Sequence, residues 1–237
     1  MKMKNIIIAS TSTVHGSGML DYILEELKHF FKDTNSILFI PYARPGGISH
    51  TEYTEKVKLP FSKIGKTIKG IHEFENPKEA INEAKGIFVG GGNTFVLVNQ
   101  LYKHQLIETI IDVVNNGVPY LGTSAGSNIC GLTINTTNDM PIVYPPSFKT
   151  FGFVPFNINP HYLDPDPNST HMGETRETRI NEFHKFNTQP VIGLREGSWL
   201  EVKGDTIFLK GTLKARIFEY DKEPFEIETN SDLSSLK

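Results

Sequence analysis

A single cysteine in 237 residues is the first scarcity of this sequence. Cys130 alone excludes an intramolecular disulfide framework and any zinc site built on paired thiolates, and it reads as a small buried packing residue. There is no basic excess either. The 24 Lys and Arg against 27 Asp and Glu leave a formal net charge of -3, so nucleic acid and anionic membrane surfaces are poor partner choices and a small molecule or peptide is expected. No apolar run approaches the roughly 18 residues of a membrane helix, and the apolar part of MKMKNIIIAS is too short for a signal-peptide core. Internal repeats and low-complexity tracts are missing. These absences point to a cytoplasmic protein folding as one domain over residues 1–237, long enough to bury a large core.

What is present is alternation. Asn5 to Ala9, Ser36 to Ile40, Thr67 to Phe74, Ile87 to Val89 and Val118 to Leu121 read as strands. Between them come helical repeats: Leu20 to Phe31, a weaker one through Tyr53, Val57 and Phe61, then Pro77 to Ala84, Phe95 to Leu101 and Gln105 to Asn115. Strands alternating with helices predict a parallel sheet covered on both faces. Met140 to Pro167 is rich in proline and reads as a long functional loop region. Glu174 to Phe186 reads as a charged helix burying Ile180, Phe183 and Phe186. Val191 to Leu194, Trp199 to Val202, Thr206 to Leu209 and Ala215 to Tyr220 then read as short strands extending the sheet antiparallel, and the last dozen residues as a frayed tail.

The stretch with the most chemistry is VPYLGTSAG, Val118 to Gly126, an apolar strand ending on G-x-S-x-G. That pattern is the sequence form of a nucleophile elbow, with Ser124 at the tip and a helix, Ala125 to about Leu132, behind it. The flanking glycines are needed because the sharp turn leaves no room for a Cβ. A serine attacks only when a base takes its proton. Of the eight histidines, His161 stands out in NINPHY, where Pro160 restricts the backbone. The imidazole needs an acceptor to fix its tautomer. Asp139 in TTNDMP and Glu196 in LREGSW are both candidates, and spacing does not choose between them. Gly90 to Gly92 follow a strand and open a helix, leaving bare amides at Gly91 and Gly92 for phosphate or, with the Ala125 amide, an oxyanion. The G-x-G-x-x-G and G-K-[ST] spacings of nucleotide loops are lacking. Arg176 and Arg179 in GETRETR suit a carboxylate ligand, although charges at this spacing usually form a solvated face.

Taken in order, IFVGGGNT, GTSAG, TTNDMPIVYPPSF, FNINPHY, GETRETRI and VIGLREGSW resemble the peptidase E family of aspartyl dipeptidases. The resemblance implies a three-layer α/β/α sandwich related to class I glutamine amidotransferases, with a mainly parallel central sheet and serine where those enzymes carry cysteine. It implies Ser124 as nucleophile, His161 as base and Glu196 as third triad member, with Asp139 matching an aspartate also considered for that role. It implies oxyanion donors at Gly91, Gly92 and Ala125, and Arg176 as receptor of the substrate's aspartyl side chain. The substrates implied are Asp-Xaa dipeptides, with no metal and no organic cofactor, and with a monomer or homodimer as the assembly. Thr123 and Arg195 depart from the family pattern, where an aromatic residue and a proline are expected, and bear on the pocket wall. Three other readings compete: an α/β-hydrolase-type esterase, a cyanophycinase-like peptidase, and a non-catalytic phosphate- or nucleotide-binding module.

Overall fold

The computed structural model describes residues 3–170 and 172–237. Met1 and Lys2, which begin the stretch weighed as a signal peptide, and His171 lie outside the described residues. The strands are β1 (Asn5–Ala9), β2 (Ser36–Ile40), β3 (Thr67–Gly70), β4 (Ile87–Val89), β5 (Tyr120–Thr123), β6 (Asn157–Pro160), β7 (Val191–Leu194), β8 (Ser198–Lys203), β9 (Thr206–Gly211), β10 (Ala215–Phe218) and β11 (Phe225–Ile227). The helices are α1 (Leu24–Phe30), α2 (His50–Lys63), α3 (Pro77–Glu83), α4 (Thr94–Lys103), α5 (Ile107–Asn115), α6 (Ala125–Asn128) and α7 (Arg176–Phe183).

A 7-stranded sheet runs β3-β2-β4-β5-β1-β8-β9. The five strands from β3 to β1 are parallel, and β8 and β9 add on antiparallel. Its central strands are continuous apolar runs because both faces are covered. In β1, Ile6 and Ile8 join one core with residues of α3, α4 and α5, while Ile7 and Ala9 join a second core with α1 and α2. Local chemistry starts these helices where the cores need them. Ser49 and Glu52 close a capping box on α2, Asn76 caps α3 ahead of Pro77, and Asn93 caps α4.

A 4-stranded sheet, β11-β10-β7-β6, packs against the first core through Ile158, Ile192, Leu194 and Ile217. Its other face meets α7 through Tyr162, Ile180, Val191 and Phe218. The expected antiparallel extension is therefore divided: β8 and β9 extend the central sheet, whereas β7 and β10 belong to this second sheet, with β7 parallel to β6. β6 itself lies in the stretch read as loop. The tail is docked rather than frayed, since the Leu233 amide donates to the Ile207 carbonyl at 2.8 Å and Leu233 and Leu236 are buried. Phe186 lies beyond the end of α7 and is 92% exposed, so that expected core residue is on the surface. β3 stops at Gly70, and α6 is a single short turn ending at Asn128.

Candidate active site

The C-terminal ends of the parallel strands are where an open α/β sheet presents loops to a ligand, and Ser124 sits there, between β5 and α6. Its φ of 54° and ψ of -113° are strained for a residue with a side chain. The elbow holds this shape because its glycines are crossed closely: a Cβ on Gly122 would meet the Gly126 carbonyl, and one on Gly126 the Val89 carbonyl. The Gly91 backbone lies against Ser124, so that a Cβ there would stand 2.8 Å from Ser124 Cβ and 3.2 Å from its Oγ. Among the described residues the amides of Gly91 and Gly92 donate to no protein acceptor, and the Ala125 amide, first in α6, has no intrahelical partner. The free amide of Ala125 thus follows Ser124 directly in the chain, and Gly91 packs against the Ser124 side chain. Cys130 is buried within this region, its thiol donating to the Gly126 carbonyl at 3.4 Å and pushed up in pKa by burial, so it stays a packing residue.

His161 and Glu196 come from the second sheet. β6 and β7 run parallel with Pro160 opposite Leu194, and each side chain follows the end of its strand by one or two residues. His161 Nδ1 and Glu196 Oε1 are 2.6 Å apart. With Glu196 ionised the imidazole donates from Nδ1, which leaves the Nε2 lone pair to accept a proton. Like Ser124, His161 has a left-handed φ, 53°.

Asp139 is elsewhere. Its Oδ2 accepts from the Thr94 amide at 2.7 Å and the Thr137 hydroxyl at 3.2 Å, so it caps α4 instead of orienting His161. Asn93 Nδ2 donates to the Met140 carbonyl at 2.9 Å and ties the same loop to the glycine run. The charge of Asp139 reaches Arg176, the first residue of α7. Among the described residues Arg176 has no hydrogen bond or ion pair, and its pKa is lowered by burial first and then by the charge of Arg179, with Asp139 opposing. A half-buried guanidinium so placed is short of negative charge.

The two departures from the family pattern have structural positions. Thr123 is fully buried, and among the described residues its hydroxyl has no hydrogen-bond partner. Arg195 turns away into an ion network, gripping Asp164 through Nε and Nη2 at 2.8 and 2.6 Å and Glu226 through Nη1 and Nη2 at 2.8 and 2.9 Å. Arg216 continues it to Glu177, the residue after Arg176, at 2.8 Å.

Asn128, Thr136 and Asn138 escaped the sequence reading. Asn128 Nδ2 and the Thr136 hydroxyl both donate to the Ile158 carbonyl, at 2.6 and 3.0 Å, and Asn138 Nδ2 donates to the Pro160 carbonyl at 2.7 Å. They serve the outer edge of β6 in place of a neighbouring strand, and only their density of Asn and Thr between residues 128 and 138 hinted at it. A cleft of about 900 Å³ opens at the opposite end of the strands, lined by Asn5, His29, Lys85, Pro119 and Lys203, and includes none of these site residues.

Comparison with known proteins places the chain in a family. A Streptomyces coelicolor protein named Peptidase E is 47% identical over 232 residues, covering 98% of this chain and 94% of the relative. A Drosophila melanogaster protein named "Probable alpha-aspartyl dipeptidase" is 43% identical over 236 residues, covering 98% and 97%. The crystal structure of a peptidase from an acI-B1 Actinobacterium shares the fold with a TM-score of 0.73 at 15% identity, covering 98% of this chain and 96% of that one. A Listeria monocytogenes EGD-e structure does so at 0.66 and 21%, covering 89% and 100%. The family model described as Peptidase family S51 matches residues 6–210, and the chain belongs to that family of serine peptidases.

Proposed function

We propose that this protein is a serine dipeptidase that hydrolyses dipeptides with N-terminal aspartate through an acyl-enzyme on Ser124. The observation that carries the reading is the 2.6 Å bond between His161 Nδ1 and Glu196 Oε1, formed beyond the ends of two adjacent parallel strands. Ser124 Oγ attacks the aspartyl carbonyl as its proton passes to His161 Nε2. The oxyanion takes hydrogen bonds from the amides of Gly91, Gly92 and Ala125. The imidazolium, stabilised by Glu196, gives its proton to the leaving amine as the C–N bond breaks. Water then attacks the ester, His161 takes a water proton, and it returns this proton to Ser124 as the aspartate leaves.

Arg176 receives the substrate's side-chain carboxylate; the absence of any ion pair to it among the described residues supports this, as does the aspartyl dipeptidase substrate that the name of the Drosophila relative carries. The pairing of His161 with Glu196 supports the order serine, histidine, acid, whereas α/β-hydrolase esterases run serine, acid, histidine. We further place the fold as a three-layer relative of class I glutamine amidotransferases, one catalytic domain acting in the cytoplasm as a monomer or homodimer.

The test is hydrolysis of Asp-Leu beside a p-nitrophenyl ester. Activity on Asp-Leu should persist with a chelator present and fall by several orders of magnitude in Ser124→Ala. Full activity in that variant overturns the reading.

A further inference from the structure

The nucleophile stands on one sheet and the base on another, so the distance between them needs a common reference. The end of β1 touches both. The Ala9 carbonyl accepts from the Ser124 amide at 3.2 Å and from the Ser127 hydroxyl at 2.6 Å, which fixes the elbow. The next residue, Ser10, is fully buried. Its hydroxyl donates to the Leu194 carbonyl at 2.7 Å and accepts from the His161 amide at 2.9 Å. Leu194 ends the strand that leads to Glu196, and His161 is the residue held at φ 53°.

We propose that Ser10 is a positioning residue for the reaction, a two-way hydrogen-bonding spacer that holds the backbone of His161 and the strand end before Glu196 at a set distance from the elbow. A hydroxyl is the smallest side-chain group that donates to a carbonyl and accepts from an amide at once. The left-handed backbone at His161 is kept only while its surroundings over-determine it. Without the Ser10 bond, the His161 amide has no fixed acceptor and the backbone that carries the ring is no longer held relative to the elbow, while the Glu196 bond, made to the same ring, does not by itself restore it.

This inference rests on the Ser124 and His161 roles proposed above, and the experiment separates the two. Full-length wild type, Ser10→Ala and Ser10→Cys are checked for native fold by near-ultraviolet circular dichroism. Each is then assayed on Asp-Leu and for the rate of labelling by a fluorophosphonate, which needs an activated serine. Labelling of wild type that disappears in Ser124→Ala and His161→Ala tests the underlying roles alone; if those variants label normally, those roles fail, and Ser10 loses its function with them. With those roles intact, Ser10→Ala should lower kcat and the labelling rate at least about tenfold per folded molecule, with KM within about twofold, since small misplacements are costly in rate. Ser10→Cys, with weaker hydrogen bonds at nearly the same size, should fall between. A lower melting temperature with kcat and labelling within about twofold of wild type means a purely structural residue and overturns the proposal, as does a rise in KM alone. Should Ser10→Ala not fold, Ser10→Cys decides by the same two readouts at a threshold of about threefold.

Discussion

β1 of the central sheet is Asn5, Ile6, Ile7, Ile8 and Ala9, paired to a strand on each side and buried on both faces. β6 of the second sheet is Asn157, Ile158, Asn159 and Pro160, paired to a strand on one side and to Asn and Thr side chains on the other. The first kind of strand is held by area removed from water, which is large but non-directional. The second is buried as well, but on its outer edge it is held by side-chain hydrogen bonds of fixed length and angle, which specify position and are expensive to leave half made. The difference matches what each strand delivers. The central sheet carries Ser124 on an elbow whose shape is set by its own glycines. The second sheet carries the His161–Glu196 pair, and the directional bonds along β6 fix the strand that ends on His161.

The sharpest way to break the contrast is to ask whether the two sheets act as one catalytic unit. Ser124→Ala and His161→Ala should each reduce kcat/KM for Asp-Leu by several orders of magnitude, and the double variant should be no worse than either, because a nucleophile without its base contributes nothing. Additive losses would mean that the sheets contribute separately. Next, Glu196→Gln should lower kcat by roughly 10³- to 10⁴-fold through the wrong tautomer. Asp139→Asn keeps the His161 pair intact and should instead cost about 1 kcal/mol of stability at the start of α4. Equal kinetic losses in the two would break the assignment.

Stability separates the sheets in smaller steps. Ile7→Ala, which opens a cavity in a fully buried site, should cost about 2–5 kcal/mol in urea unfolding. Asn128→Ala should cost about 1–3 kcal/mol by stripping a buried carbonyl of one donor, with the loss extending to kcat because β6 is displaced. The smallest effect concerns pH. Asp164 and Glu226 are both held below their ordinary values of 3.8 and 4.5, first of all by hydrogen bonds from Arg195. A depressed carboxylate contributes stability that is complete above its ordinary value and disappears as pH falls through the folded one. The melting temperature should therefore drop on acidification below about pH 4.5, with less than about 1 kcal/mol of stability lost per group because both side chains are partly exposed. Arg195→Gln should remove that part of the acid sensitivity.

Legibility followed the same division. The parallel strands and their helices were readable because burial on both faces leaves unbroken apolar runs, and Gly122-Thr123-Ser124-Ala125-Gly126 was readable because a tight elbow tolerates so few residues. β6 was not, since Asn-Ile-Asn-Pro has neither the alternation nor the β-branched content of a strand. Phe186 misled because helical periodicity does not say where a helix stops, and α7 ends three residues before it. The tail misled because two leucines, Leu233 and Leu236, anchor an otherwise polar segment.

The chain's composition and local patterns by themselves determined an α/β architecture and the serine at its bend, since periodicity and turn sterics act over a few residues. Which carboxylate meets His161, how the late strands divide between two sheets, and the junction at Ser10 were decided only by tertiary structure. Those depend on strand register and on hydrogen bonds spanning 35 to 184 positions, where nothing in the local sequence records the partner.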